Sequence, residues 1–324
     1  MAAADSLTAI AGLKVGHWTD SEAVTGCTVV LCEEGAVAGA DIRGGAPGTR
    51  ETDLLRPGNL VERVHAVLLT GGSAFGLDAA GGVMHWLEEK SIGYTTPAGP
   101  VPIVAGAVLY DLNIGRPDIR PDAAAGYAAA SAANDGAIAQ GSVGAGTGAT
   151  VGKVLGMANA TKGGIGSACE ETESGVRVGA LVAVNAAGEI VDPASGETVA
   201  GPRGEDGRFL STLDIMRHGL PRAVPPVTNT TIAVVATDAV LDKAQCARLA
   251  TMAQDGIARA VRPAHTQFDG DSVFALSTSK STAVADLSTL GALAALALER
   301  AILRAVRAAT PLGGVPALAD LPPR

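Results

Sequence analysis

The chain has 324 residues, a formal net charge of −9, and a composition that is 47% hydrophobic but only 3% aromatic. This length suits one large domain or two ordinary ones, and the acidic balance argues against a nucleic-acid-binding protein, which needs a basic stripe. With 42 glycines, a core of small aliphatic side chains can bring sheets and helices close together. The low charged fraction, 18%, suggests that oligomerisation or close layering covers part of the surface.

Cysteine and histidine spacing argues against disulfides and metal sites. The cysteines, Cys27, Cys32, Cys169 and Cys246, lack CxxC spacing, which is typical of buried thiols in a reducing compartment. The histidines show no metal-ligand spacing, so we expect neither a metal nor another cofactor. Residues 1–20 do not resemble a signal peptide, and the apolar run at residues 290–298 is far short of the ~20 residues that a membrane span needs. We therefore expect a cytoplasmic protein that does not bind membranes.

The N-terminal half predicts strands that alternate with helices. Apolar and β-branched runs predict strands at residues 10–15, 26–32, 36–42, 64–70 and 102–110. Helical patterns follow residue 78 as far as Lys90 and cover the alanine-rich residues 122–134. Residues 41–53, with the sequence DIRGGAPGTRETD, are rich in Gly and Pro with charges at both ends, and they predict a structured loop.

Two glycine-rich turns invite functional interpretations that their spacing does not support. Around Ser73, a GxSxG nucleophile elbow would need Gly where Phe75 stands. That turn predicts either an anion site at a helix N-terminus or a tight packing turn. At residues 141–152, a phosphate loop would need Ser or Thr where Val154 stands, so nucleotide binding does not explain Lys153, which alone would be an ordinary surface lysine.

The C-terminal half contains the most informative stretch. Residues 176–185 predict a strand that ends at Asn185, and residues 188–224 resemble a linker. Further elements are predicted as helices at residues 242–261 and 287–309 and a strand at 272–276. The tail, residues 311–324, is rich in Pro and Gly and is expected to wrap around a neighbour or fray.

Residues 225–238, with the sequence PPVTNTTIAVVATD, combine a prolyl approach with a strand that is apolar on both faces. One interpretation is that Asn229 and Thr230 are turn residues at the end of a loop. The other is that the chain is cut between them. Thr230 would then be an N-terminal residue whose own amine activates its hydroxyl.

Asp269 and Asp271 flank Gly270 just before the predicted strand at residues 272–276. Taken alone, they predict a tight turn. A calcium loop of the EF-hand type would need further acidic positions that are absent.

Five stretches together resemble the DmpA-like aminopeptidases, a family that includes L-aminopeptidase/D-esterases, β-aminopeptidases and nylon-oligomer hydrolases. They are residues 41–53, 69–77 (LTGGSAFGL), 144–153 (GAGTGATVGK), 229–232 (NTTI) and 265–271 (HTQFDGD). The resemblance covers nearly the whole chain. The aspartate pair and the Asn-Thr junction are most similar to the nylon-oligomer hydrolase branch.

The resemblance implies a four-layer αββα sandwich similar to that of N-terminal-nucleophile hydrolases, with residues 1–324 as a single domain. It implies self-cleavage between Asn229 and Thr230 into residues 1–229 and 230–324, which remain together in a homo-oligomer, expected to be a tetramer of processed units. Thr230 would be the nucleophile, and Asn185 would help to hold the oxyanion. The remaining implied residues are Lys153 beside the nucleophile, Asp269 and Asp271 beside its amine, and Phe75 and Tyr110 in the substrate pocket.

These residues predict an amidohydrolase that cleaves short peptides, β-peptides or ω-amino-acid oligomers with a free amine. One alternative is an acyltransferase similar to ornithine acetyltransferase, although the usual Ala-Thr-Met-Leu at the cut is absent here. The other alternative is a non-catalytic ligand-binding protein of the same fold.

Overall fold

The structure is a computed structural model that describes residues 5–219 and 229–321. Its strands are β1 (Lys14–Asp20), β2 (Thr25–Ile42), β3 (Thr49–Arg50), β4 (Arg63–Thr70), β5 (Tyr94–Thr96), β6 (Gly99–Val101), β7 (Val104–Val108), β8 (Thr150–Val151), β9 (Thr161–Lys162), β10 (Gly164–Glu171), β11 (Arg177–Asn185), β12 (Glu189–Val191), β13 (Thr198–Ala200), β14 (Thr230–Thr237), β15 (Val261–Arg262) and β16 (Ser272–Ser277). Its α-helices are α1 (Ala79–Glu89), α2 (Ala123–Ser131), α3 (Thr212–His218), α4 (Lys243–Ala260) and α5 (Leu287–Arg307).

The long strand β2 connects two halves of one sheet, whose order is β10-β11-β14-β16-β2-β4-β7-β3 with β1 also on β2. Residues 27–31 of β2 pair with β4, whereas residues 37–42 pair with β16. The register between β2 and β4 shifts between Leu31 and Ala36. A bulge of this kind bends a strand, which allows the two halves to face each other.

Three apolar clusters show that the layers follow the order helix, sheet, sheet, helix. One cluster packs α4 and α5 on the outer face of β11, β14 and β16. The second lies between the two halves of the sheet and contains side chains of β4, β7, β11, β14 and β16. The third packs α1 and α2 on the outer face of β2 and β4. The expected αββα sandwich is therefore confirmed.

The alternating side chains of β14 explain why both of its faces are apolar. Ile232, Val234 and Ala236 belong to the cluster between the sheets, while Ala233 and Val235 pack against the α4–α5 layer. All of β14 is buried. The two-sided strand that the sequence predicts is therefore confirmed.

Several sequence-based boundaries are wrong. Residues 188–219 are not a linker, because they contain β12, β13 and α3. The strand predicted at residues 10–15 is also wrong in its start. Residues 10–13 connect a 3-10 helix (Leu7–Ala9) to β1, which begins only at Lys14. Strand β10 was not predicted. The prolyl residues Pro225 and Pro226 lie outside the described residues.

The C-terminal tail packs on its own chain up to residue 321 and is not frayed there. Val315 and Ala317 are buried, and the Pro316 carbonyl accepts a hydrogen bond from the Lys162 backbone at 2.9 Å. Within residues 5–219 and 229–321, no helix has the length and apolarity needed to cross a membrane. Among the same residues, no three His, Cys, Asp or Glu side chains are grouped to hold a metal ion.

Candidate active site

Thr230 is the first residue of β14, and it lies at an edge where three neighbouring strands bring polar residues together. The antiparallel pairing with β11 places Thr230 opposite Asn185. The parallel pairing with β16 aligns Ile232 with Ser272, so that Asp271 comes to the same edge. Thr230 is only 4% exposed, which places its side chain inside the protein.

The Thr230 hydroxyl lies against the carbonyl group that precedes it in the chain. Its Oγ1 donates a hydrogen bond to the Asn229 carbonyl oxygen. The Gly270 backbone N–H donates to that same oxygen at 2.8 Å, and the Asn229 N–H donates to the Phe268 carbonyl at 3.1 Å. Donors aimed at a carbonyl oxygen stabilise the negative charge that develops there during nucleophilic attack.

The two aspartates make different contacts. Asp271 Oδ1 accepts a 2.6 Å hydrogen bond from the Thr231 N–H, and Asp271 Oδ2 accepts from both the backbone N–H and the ring Nδ1 of His265. Asp269 Oδ2 accepts from the Thr266 N–H at 2.6 Å. The structure thus brings both carboxylates to the start of β14, with Asp271 occupied by neighbouring groups on both of its oxygens.

The environment of Asp269 changes its acidity. Burial raises the pKa of this carboxyl group to about 6, and the neighbouring Asp271 carboxylate also raises it, while Lys153 opposes the shift. Asp269 is therefore mostly ionised at neutral pH and takes up a proton in mildly acidic solution.

Lys153 and Asn185 form one buried unit. The Lys153 ammonium donates to the Asn185 carbonyl oxygen at 2.9 Å and to its side-chain Oδ1 at 2.7 Å. Thr150 N–H also donates to Oδ1, at 3.0 Å, and Asn185 Nδ2 donates to the Tyr110 carbonyl at 2.9 Å. These bonds fix the orientation of the Asn185 amide, with its oxygen toward Lys153 and its nitrogen toward Tyr110.

Lys153 is not the surface lysine that it would be if taken alone, because it is 2% exposed. Burial lowers the pKa of its amine to about 7, the Asp269 carboxylate opposes the shift, and the nearby Lys162 adds to it. A lysine with such a pKa changes its charge near neutral pH.

A second buried set of charged residues lies near Lys153, and no pattern in the sequence predicts it. Lys162 donates to the Thr147 and Ala149 carbonyls, each at 2.7 Å, and burial lowers the pKa of its amine to about 7. Asp111 accepts from the Thr25 hydroxyl and the Gly72 N–H, each at 2.7 Å. Burial raises the pKa of Asp111, and Lys162 acts against that rise.

The loop at residues 41–53 packs directly on the aspartate turn. The Arg43 N–H donates to the Asp271 carbonyl at 3.0 Å, and the Ala46 N–H donates to the Asp269 carbonyl at 2.8 Å. A side chain at Gly44 would come within 2.2 Å of the Asp269 carbonyl oxygen. This close approach explains why the loop needs glycine.

Phe75 and Tyr110 are placed differently from each other. Phe75 is 59% exposed and stacks under the Arg120 guanidinium, 4.0 Å from the ring centroid. The Tyr110 hydroxyl donates to Asn113 at 3.3 Å, and its contact with the site is the backbone carbonyl that binds Asn185. A cavity of about 1070 Å³ lies elsewhere and is lined by Arg208, Phe209 and Arg307 among others.

Sequence reasoning gave His265 no role, although it lies inside the motif at residues 265–271. Its ring contacts Asp271 at 2.9 Å. The signal was its position in that motif, but a histidine six residues before its partner has no characteristic spacing that would reveal the contact.

Comparison with known proteins identifies relatives that span nearly the whole chain. A family model described as Peptidase family S58 matches residues 5–318. An uncharacterized aminopeptidase of Mycobacterium leprae (strain TN) is 45% identical over 342 residues, which cover 96% of this chain and 92% of the relative. A 6-aminohexanoate-oligomer endohydrolase of Kocuria sp. (strain KY2) is 31% identical over 310 residues, which cover 91% of this chain and 84% of the relative.

Solved structures show the same fold. A Burkholderia sp. beta-aminopeptidase matches with a TM-score of 0.69 at 24% identity, over 97% of this chain and 92% of its own. The L-aminopeptidase D-Ala-esterase/amidase of Ochrobactrum anthropi, described as a variant of the Ntn hydrolase fold, matches with a TM-score of 0.70 at 23% identity, over 96% of this chain and 88% of its own. The chain therefore belongs to peptidase family S58 and is a hydrolase that acts on peptide or other amide bonds.

Proposed function

We propose that the protein is a self-processing N-terminal-nucleophile amidohydrolase with Thr230 as its nucleophile. The observation that carries this proposal is the contact between the Thr230 hydroxyl and the Asn229 carbonyl, whose oxygen also accepts the Gly270 N–H. A turn at the end of a loop would not need a buried hydroxyl held against a doubly hydrogen-bonded carbonyl.

In the processing step, Thr230 Oγ1 attacks the Asn229 carbonyl carbon, and the Asn229–Thr230 amide bond breaks. The acyl group moves to Oγ1 as an ester, while the Thr230 nitrogen leaves as a free amine with the hydroxyl proton. Water then hydrolyses the ester, which releases the Asn229 carboxylate. The products are residues 1–229 and 230–324, which together keep the single αββα domain.

In catalysis, the free Thr230 amine takes the hydroxyl proton as Oγ1 attacks the substrate carbonyl, and gives it to the leaving amine. An α-amine titrates near 7.7–8.0 in model compounds, so it is partly neutral at working pH. Asn185 helps to hold the oxyanion, and Lys153 stabilises charge near the nucleophile. Water then hydrolyses the Thr230 ester and frees the enzyme.

The aspartates would hold the new amine and the free amine of a substrate. Asp269 accepts hydrogen bonds from Thr266, whereas both oxygens of Asp271 are already occupied, by Thr231 and by His265. Asp269 is therefore the carboxylate that remains able to accept an ammonium group. This favours short peptides or ω-amino-acid oligomers with a free amine, in agreement with the 6-aminohexanoate-oligomer endohydrolase among the relatives.

The experiment compares wild type with Thr230→Ala, Thr230→Ser and Thr278→Val on short peptide amides and 6-aminohexanoate oligomers. Thr278 is a matched control, because it is also a buried threonine and directly follows β16, at the end of that strand away from Asp271. We expect Thr230→Ala to remain uncut and inactive, Thr230→Ser to keep activity, and Thr278→Val to behave as wild type.

Amide hydrolysis by Thr230→Ala at the wild-type rate would refute the nucleophile assignment. Transfer of the acyl group to added ornithine, in place of hydrolysis, would identify an acyltransferase instead. Binding of these amides without turnover by a correctly folded wild type would identify a ligand-binding protein.

A further inference from the structure

His265 holds the Asp271 carboxylate through two bonds to one oxygen. Its backbone N–H donates to Oδ2 at 3.0 Å, and its ring Nδ1 lies 2.9 Å from the same atom. Because a carboxylate can only accept hydrogen bonds, Nδ1 is the donor. The ring is largely buried, with a side-chain exposure of 19%, so it keeps this orientation without competition from bulk water.

The backbone of His265 is in an uncommon conformation. Its φ of +56° lies in the left-handed region, which non-glycine residues adopt rarely, with Asn, Asp and His the most frequent among them. A histidine at such a position needs compensation from its surroundings. The two bonds to Asp271 supply it.

The other carboxylate oxygen of Asp271 reaches the nucleophile's strand. Oδ1 accepts the Thr231 N–H at 2.6 Å, and Thr231 follows Thr230 directly. The Asp271 carbonyl is also fixed, because it accepts a hydrogen bond from the Arg43 N–H at 3.0 Å. The rotation of the carboxylate about its side-chain bonds is then set mainly by His265 on one oxygen and by Thr231 on the other.

We propose that His265 is a positioning residue, which acts through Asp271 and the Thr231 N–H to hold Thr230 in line for self-cleavage and for attack on the substrate. This inference rests on the proposed function, since it assigns a role in the reaction of Thr230. His265 makes no contact with the reacting atoms and moves no proton. It orients the Asp271 carboxylate, and this carboxylate in turn holds the start of β14 through the Thr231 N–H.

The substitutions are chosen to separate the ring bond from the backbone conformation. His265→Asn places an amide N–H where Nδ1 stands, and asparagine tolerates the left-handed region. His265→Gly removes the hydrogen bond from the ring Nδ1 to Asp271, and glycine adopts the left-handed backbone conformation more easily than asparagine does. His265→Gln keeps a side chain of similar size while moving its amide one bond further from Asp271.

We expect His265→Gly and His265→Gln to slow both self-cleavage and kcat by roughly 10- to 100-fold, the usual worth of a hydrogen bond to a charged group. KM should change little, because the substrate does not touch His265. His265→Asn should stay within a few-fold of wild type. Wild-type rates in His265→Gly, or an equal loss in a stably folded His265→Asn, would overturn the proposal.

A second measurement does not depend on activity. Hydrogen exchange at the Thr231 amide is compared in uncut Thr230→Ala protein with and without His265→Gly or His265→Asn. We expect protection of this amide to fall roughly tenfold or more with glycine, as its acceptor loosens, and to persist with asparagine. Unchanged protection with glycine would overturn the proposal even if the nucleophile assignment is correct. Conversely, activity in Thr230→Ala would refute the proposed function while leaving the exchange result to decide the role of His265.

Discussion

Gly270 shows how closely the candidate site is packed around the nucleophile. A Cβ at this position would lie 2.9 Å from Thr230 Oγ1 and 3.1 Å from the Ala46 carbonyl oxygen. Both neighbours are held in place, the first by the start of a central strand and the second by the loop at residues 41–53. Glycine is therefore required here for space.

We predict that Gly270→Ala slows self-cleavage by roughly a hundredfold, because a displacement of the nucleophile by about 1 Å has an effect of that size. The added methyl should also lower the free energy of unfolding by about 1–3 kcal/mol. The control is Gly81→Ala in α1, where a Cβ meets nothing within 4 Å. The control should process normally and gain about 0.5–1 kcal/mol of stability. Normal processing in Gly270→Ala would show that Thr230 Oγ1 does not need the position described here.

Lys153, Asn185 and the aspartate pair became candidate site residues only because several motifs together resembled a family, whereas Thr230 was already a candidate from its own stretch. Lys153 and Asn185 illustrate the limit, since each alone has an ordinary structural explanation and nothing in the local pattern predicts their bonds to each other. His265, Lys162 and Asp111 were missed because their roles depend on contacts between distant segments. No pattern in a single sequence indicates that Lys162 is buried against two backbone carbonyls.

At the scale of elements, the short hairpin β8–β9 carries Lys162 into the interior and holds the segment that contains Lys153. Thr150 pairs with Lys162 in this hairpin. Burial keeps the pKa of each lysine at about 7, whereas an unfolded lysine titrates near 10.4. Between these values the unfolded chain binds more protons than the folded one, so this contribution to stability rises with pH and vanishes below about pH 7.

We predict that Lys162→Met lowers the slope of the free energy of unfolding against pH by about 1.4 kcal/mol per pH unit between pH 8 and 10. This is the effect of one proton bound by the unfolded chain and not by the folded one. Urea unfolding of the uncut Thr230→Ala protein, with and without Lys162→Met, measures both slopes. The substitution also removes the Lys162 donor from the Thr147 carbonyl, while the Ala149 carbonyl keeps the Gly163 N–H; this loss should cost about 1–3 kcal/mol at every pH. Equal slopes would mean that Lys162 is not neutral in the folded protein at pH 10.

Strands and helices with strong periodicity were predictable, and elements defined by long-range pairing were not. β14, α4 and α5 follow the sequence pattern closely, because their apolar residues recur at the spacing of the element. Strand β10, with the sequence GIGSACEE, has two glycines and no run of β-branched residues. It exists because β11 pairs with it along its whole length, a contact that local sequence does not report.

At the scale of the whole molecule, the proposed cut would divide the chain in the middle of its core. β14 belongs to the C-terminal piece but pairs along its whole length with β11 of the N-terminal piece. β16, also from the C-terminal piece, pairs with β2. The cluster under α4 and α5 mixes side chains from both pieces.

We predict that the two pieces co-elute on size-exclusion chromatography in native buffer and separate only in strong denaturant. A chain of residues 230–324 expressed alone should fail to fold, because β14 would lose β11 and β16 would lose β2, which would expose strand edges and apolar faces. Dissociation of the smaller piece under native conditions would contradict this arrangement of the sheet.

The central claim is that Thr230 becomes an N-terminal residue and then acts as the nucleophile. An intact-mass spectrum of purified wild-type protein with full amide-hydrolysing activity tests it most directly. We expect two masses in place of the 32.1 kDa chain, one for residues 1–229 and one, slightly less than a third of the total, for the piece that begins at Thr230. A fully active sample that contains only the unbroken chain would contradict it.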